Sequence, residues 1–232
     1  MIQNPQHQQM VLDTLCTTLQ DTNPAIRAKS AQALGTIGPT QIIPNLLTAL
    51  QDPEPIVRQQ AAIALGKLGN DTILPDLITA IDDPSPSVRE SITTALCDIG
   101  SETITPILIQ ALQDPAPSVR TAAAKALGHL SRVIAIPALL HLLNEPEPSV
   151  SHAAAIALSQ MPADSVIPPL LETLKTTYTN ARINATIALG QLHQESVIPE
   201  LVQLLQDPDT AVRESAIEAL GKLGNATDRS VA

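Results

Sequence analysis

Between residues 41 and 69 the apolar positions fall into two stripes with helical spacing. Leu46, Leu47 and Leu50 mark one face of a first helix, and Val57, Ala61, Ala64, Leu65 and Leu68 mark one face of a second. Pro44 suits the first turn of the first helix, where a missing N–H is not needed. The intervening QDPEP cannot continue that helix, but its prolines can open the next. Gly66 and Gly69 are expected to thin the end of the second helix and turn the chain back. The unit predicted is a helical pair.

That unit recurs without insertion. Arg27, Arg58, Arg89, Arg120, Arg182 and Arg213 lie in one register of 31 residues, with Ser151 in the vacant arginine slot. Pro44, Pro75, Pro106, Pro137, Pro168 and Pro199 keep the same step, and Gly35, Gly66, Gly128, Gly190 and Gly221 do so with Cys97 and Ser159 in the remaining glycine slots. Alanine is invariant at 33, 64, 95, 126, 157, 188 and 219, as a close helix crossing would require. A single pair cannot bury its stripe, so the seven copies must stack. The boundaries expected are a flexible polar leader at 1–8, one repeat domain at 9–224 and a polar tail at 225–232. The last copy, AVRESAIEALGKLG, looks like an internal unit with added charge, which makes a weak cap.

Composition supports a stack over a single core: no Trp, no Phe, one Tyr and twenty Pro leave small aliphatic contacts to do the packing. No run of 18 apolar residues occurs, and MIQNPQHQQM has neither the basic region nor the apolar run of an export signal, so a soluble, cytoplasmic chain without direct membrane insertion is expected. A formal charge of -10 disfavours nucleic acid and anionic lipid as partners. Cys16 sits in a leucine slot and Cys97 in a glycine slot; small buried fillers are the first reading, reactive thiols the second. HExxH, adjacent His-Glu, CxxC, phosphate-loop and nucleophile-elbow patterns are absent, and His129 and His152 stand at different helical levels, roughly 12 Å apart along the axis at the α-helical rise. No catalytic residue, metal or cofactor is therefore assigned.

The strings DPEPIVRQQAAIALGKLG, DPAPSVRTAAAKALGHL and DPDTAVRESAIEALGKLG resemble HEAT-repeat solenoids, in particular the short HEAT-like class named after the phycobilisome lyases. The resemblance implies an all-α, right-handed alpha-alpha superhelix of seven helical-pair repeats, with first helices on the convex side and second helices on the concave side, where partners bind. It implies scaffolds, chaperone-like factors or bilin lyase subunits as functions, and for a lyase a second HEAT-like subunit as partner. HEAT-like metal-dependent hydroxylases would need His-Glu pairs that this chain lacks.

Each acid at the inter-helix turn precedes an arginine by six residues: Asp21 and Arg27, Asp52 and Arg58, Asp83 and Arg89, Asp114 and Arg120, Asp207 and Arg213. Such a pair can tie the turn to the following helix and its neighbour through the planar guanidinium, a structural ladder rather than an anion-binding stripe. Glu145 lacks an arginine of its own and Arg182 an acid, so the two are expected to compensate each other. Asp71, Glu102, Asp164 and Glu195, just ahead of the first helices, suit either helix capping or an acidic rim. The second-helix face is mixed in sign until repeats five and six, where His152, Ile156, Gln160, Ile183, Ile187 and Gln191 make it apolar, flanked by amides. Two readings stay open there: a protein-binding patch, or isoleucines packed between helices. The function expected is a non-enzymatic scaffold or assembly factor holding another protein; the alternative is a bilin lyase or bilin-handling subunit acting on phycobiliproteins.

Overall fold

A computed structural model describes residues 4–227, and no strand occurs among them. The chain divides into two compact units, Met1–Ile107 and Leu108–Ala232. In the first unit the helical pairs are α1 (Pro5–Thr18) with α2 (Pro24–Ile37), α3 (Ile43–Ala49) with α4 (Pro55–Leu68), and α5 (Leu74–Thr79) with α6 (Pro86–Ile99). The division falls inside α7 (Thr105–Ala111). The second unit continues with α8 (Pro117–His129), α9 (Ile136–Leu142) with α10 (Pro148–Ser159), α11 (Ala163–Thr173) with α12 (Thr179–Gln191), and α13 (Ile198–Gln203) with α14 (Thr210–Thr227).

The prolines of the inter-helix turns act as the pattern predicts, whereas Pro168, expected in the first turn of its helix, lies inside α11. Pro24, Pro55, Pro86, Pro117 and Pro148 each open a second helix, where a fixed φ suits the first turn. Helix α1 starts ahead of the expected boundary, because the side chain of Asn4 accepts the N–H of Gln6 and Pro5 follows as the first helical residue. At the other end α14 runs on to Thr227, past residue 225. Residues 1–3 of the expected leader and 228–232 of the expected tail lie outside the described residues.

Within each unit the second helices pack side by side: α2 on α4 and α4 on α6, then α8 on α10, α10 on α12 and α12 on α14. Their leucines Leu34, Leu65, Leu96, Leu127, Leu158 and Leu189 are fully buried. The crossing itself depends on glycine. A Cβ added at Gly35 would lie 2.5 Å from the Cβ of Ala64, and one at Gly66, Gly128 or Gly190 would lie 2.5–2.8 Å from the Cα or Cβ of Ala95, Ala157 or Ala219. Gly66 is thus not a turn residue, as the sequence suggests, but the contact point of a crossing. The turn belongs to Gly69 and Gly100, at φ 57° and 76°, and the same left-handed slot is filled by Ser131 and His193 in later copies.

Candidate functional site

The arginines do not pair with the acids of their own repeats. Arg27 donates from Nε and Nη2 to the carboxylate of Asp52 at 2.7 and 2.8 Å, and Arg58 does the same to Asp83 at 2.6 and 2.9 Å. What each takes from its own repeat is the backbone: Nη1 of Arg58 donates to the carbonyls of Asp52 and Pro53. The aspartate is held in place because its Oδ1 also accepts the N–H two residues on, that of Glu54 for Asp52 and of Ser85 for Asp83. Each rung therefore joins one turn, the next helix and the turn after. In the second unit Arg182 grips Asp207 with the same fork, whereas Arg120 reaches the longer Glu145 through Nη2 alone and its buried Nε has no hydrogen-bond partner.

The geometry overturns the expected pairing of Glu145 with Arg182. Glu145 takes the arginine of the preceding repeat and Arg182 the acid of the following one. A rung spans 25 residues, and 25 residues beyond Ser151 stands Thr176. The chain has lost both members of a single rung. The electrostatics follow the pairing. The Arg27 hydrogen bond holds the Asp52 carboxyl below the usual aspartate range, assisted by the Glu54 N–H and opposed by burial. At Asp83 and Asp207 burial pushes upward, but the hydrogen bonds from Arg58 and Arg182 and from the backbone prevail, and the net shift is downward.

Two further departures fall at the same joint, between α10 and α12. Ser159 replaces the contact glycine, so the two backbones cannot approach as they do at Gly128 and Gly190; the α10–α12 joint is the sparsest second-helix joint in its unit. The Ser159 hydroxyl instead lies 2.9 Å from Oε1 of Gln191. Asn184, 7% exposed, supplies a substitute tie: its Nδ2 donates to the carbonyl of Leu143, at the end of α9, at 3.1 Å and to that of Asn180 at 2.9 Å. Asn184→Ala is expected to destabilise the chain by about 1 kcal/mol, since it removes the brace and leaves a buried carbonyl unpaired; urea unfolding of the two proteins checks it.

The six residues singled out by the sequence occupy matching positions on this pair of helices. His152 on α10 and Gln160 at its C-cap are exposed; Ile156 on α10 and Ile183, Ile187 and Gln191 on α12 are half-buried. The isoleucines thus pack with one edge and face solvent with the other. Tyr178, the single aromatic, is exposed at the N-cap of α12, in the turn that lacks the Asp-Pro pair.

A model of HEAT repeats matches residues 12–83, 74–159, 105–179 and 167–232. The chain belongs to the HEAT-repeat family. No curated protein sequence matches it. Among solved structures, the complex of CpcE and CpcF of phycocyanin lyase from Nostoc sp. PCC7120 is similar at 24% identity and TM-score 0.59, over 92% of this chain and 94% of that one. The karyopherin Kap121p bound to Nup53p is similar at 17% identity and TM-score 0.65, over 93% of this chain but 29% of that one. YibA of Escherichia coli is similar at 21% identity and TM-score 0.56, over 97% of both chains. At these identities the likeness is one of fold.

No group of three His, Cys, Asp or Glu side chains suited to a metal occurs among the described residues, and none of their helices is long and apolar enough to cross a membrane. Cys16 and Cys97 are half-buried, and burial raises both thiol pKa values, which opposes reactivity. Ahead of the third first-helix, α5, the capping bond comes from Asn70, which accepts the N–H of Thr72; Asp71 follows it in the first turn. Sequence reasoning missed a groove of about 630 Å³ on the first-helix side of repeats six and seven, lined by Pro168, Leu171, Leu174, Lys175, Gln203 and Leu204. Glu200 also lines it, and its Oε2 is buried without a hydrogen-bond partner.

Proposed function

We propose that this HEAT-repeat chain is a non-enzymatic scaffold or assembly factor that holds another protein against the second helices of repeats five and six. One observation carries the reading: three half-exposed isoleucines, Ile156, Ile183 and Ile187, lie on adjacent helices at the joint where the ladder rung and the contact glycine are both missing. A joint freed from the fork and the tight crossing can adjust its width to a bound surface, and half-exposed branched aliphatics flanked by His152, Gln160 and Gln191 offer an apolar centre with a polar rim. The other joints within the two units lack that apolar cluster.

Changing Ile156, Ile183 and Ile187 together to Ser is expected to weaken capture of the protein partner by about tenfold, as loss of a modest apolar anchor does. The unfolding midpoint, measured on the same samples, separates the outcomes: unchanged capture removes the patch from the site, and a collapse of stability assigns the isoleucines to packing alone. A bilin-handling role is the second reading, prompted by the phycocyanin lyase complex among the structural neighbours. Transfer of free bilin to the cysteine of an apo-phycobiliprotein in the presence of this chain would establish it in place of the scaffold.

A further inference from the structure

Three of the joints inside the units, α2–α4, α4–α6 and α12–α14, are built from the same parts. The preceding repeat supplies an arginine fork, a contact glycine and a buried leucine; the following repeat supplies an aspartate, an alanine and a buried valine or alanine. The first and last repeats each expose one half of such a joint. On α14 the contact glycine, Gly221, has nothing within 4 Å of an added Cβ, although its counterparts at 35, 66, 128 and 190 all meet an alanine. Ile217 is 61% exposed, at a slot where Ala31, Ala62, Thr93, Ala124, Ala155 and Thr186 are fully buried. Leu220 is half-buried where its counterparts are fully buried. Arg213 keeps the two carbonyl bonds to its own turn, at Asp207 and Pro208, but its Nη2 turns to the Thr210 hydroxyl instead of a carboxylate one repeat on.

The first repeat shows the complementary half. Ile26 on α2 is 41% exposed, at a slot where Val57, Val88, Val119, Val150, Ala181 and Val212 are 4% exposed or less. Ala33 is half-buried where the later alanines are buried. Asp21 accepts the Asn23 N–H at 2.7 Å, the same turn that presents Asp52 and Asp83 to an arginine, and carries no ion pair of its own among the described residues. Cationic fork and anionic turn, glycine and alanine, apolar slot and apolar slot stand in the register that joins repeats within a unit.

We infer that the last repeat of one copy of this chain docks on the first repeat of a second copy, with Arg213 gripping Asp21 and Gly221 receiving Ala33, as a further joint of the internal kind. Such a heterologous contact uses two different faces, so copies add in series. The charge pair fixes register and the apolar slots provide the burial.

Sedimentation velocity on the full chain over a rising concentration series tests the contact. The wild-type chain is expected to gain mass in steps of one copy. Asp21→Arg leaves Arg on both end faces and Arg213→Asp leaves Asp on both, so each variant alone is expected to associate at least about tenfold more weakly. Mixing them restores a native joint, because Arg213 of the first variant meets Asp21 of the second. Gly221→Leu, which has room in the single copy, is expected to block the contact with helicity and melting unchanged. A wild-type chain that stays monomeric throughout the series, association that survives either charge reversal, or a mixture that fails to associate would overturn the inference.

Discussion

Gly66→Ala is expected to lower the unfolding free energy by about 2–3 kcal/mol, and Gly221→Ala to raise it by about 0.5–1 kcal/mol. In an isolated helix both changes would stabilise, since alanine is the better helix former by about 1 kcal/mol. At Gly66 the new Cβ would lie 2.7 Å from the Cα and 2.8 Å from the Cβ of Ala95. Neither atom can rotate aside, because both belong to or adjoin the backbone of α6. The helices must part, and parting them costs contacts along the whole crossing. Gly221 occupies the same slot in the last repeat and meets nothing within 4 Å. Because each repeat leans on its neighbours, Gly66→Ala is also expected to loosen the coupling between repeats and broaden the transition. Urea titrations followed by circular dichroism give both numbers; a Gly66→Ala protein as stable as wild type would show that the crossing has slack.

Opposite outcomes at positions the sequence treats as equal show where reading by period stops. The helical pairs, the prolines that open the second helices and the left-handed Gly69 were all legible, because each is a local property of one copy. The partner of a periodic group was not. In a repeat of 31, an acid six residues before an arginine and an acid 25 residues after it are the same series, so regular copies cannot say which one is gripped. Only an irregular copy breaks the degeneracy, and this chain contains one. If arginines held their own acids, Glu145 and Arg182 would both be stranded by two unrelated losses. If they hold the next acid, Ser151 and Thr176 are the two missing ends of one rung and nothing is stranded, which is the observed arrangement. That isoleucines recur at matching slots of α10 and α12 was legible from the period, while their half-buried setting was not. The brace from Asn184 to the Leu143 carbonyl was not, because no other copy has asparagine there and its partner lies 41 residues away. The groove at Glu200 was invisible for a related reason: its walls come from α11 and from the segment around α13, and no single copy specifies how they face each other.

Arg58→Ala is expected to cost about 1–2 kcal/mol, a value set between a surface pair and a fully buried one because solvent still reaches the turn. The guanidinium and its carboxylate partner Asp83 are 12% and 9% exposed, and removing the arginine takes both fork bonds from a carboxylate that keeps the Ser85 N–H in a partly dry site. Arg213→Ala, which removes only bonds within one turn, should change stability by no more than about 0.5 kcal/mol. The same ladder sets the response to acid. Asp52, Asp83 and Asp207 are held below the ordinary aspartate pKa of about 3.9 in the folded chain, so the unfolded chain binds more protons as the pH falls. Their contribution is complete above that ordinary value and disappears as the pH drops through the lowered folded values. Stability is therefore expected to fall steeply below about pH 4, and Asp83→Asn, starting from a lower neutral value, to fall less steeply over that interval. Two measurements bear on the rung: a double-mutant cycle between Arg58→Ala and Asp83→Asn, and the acid limb of each protein. Coupling indistinguishable from zero, together with parallel acid limbs, would mean that the rungs order the turns without stabilising them.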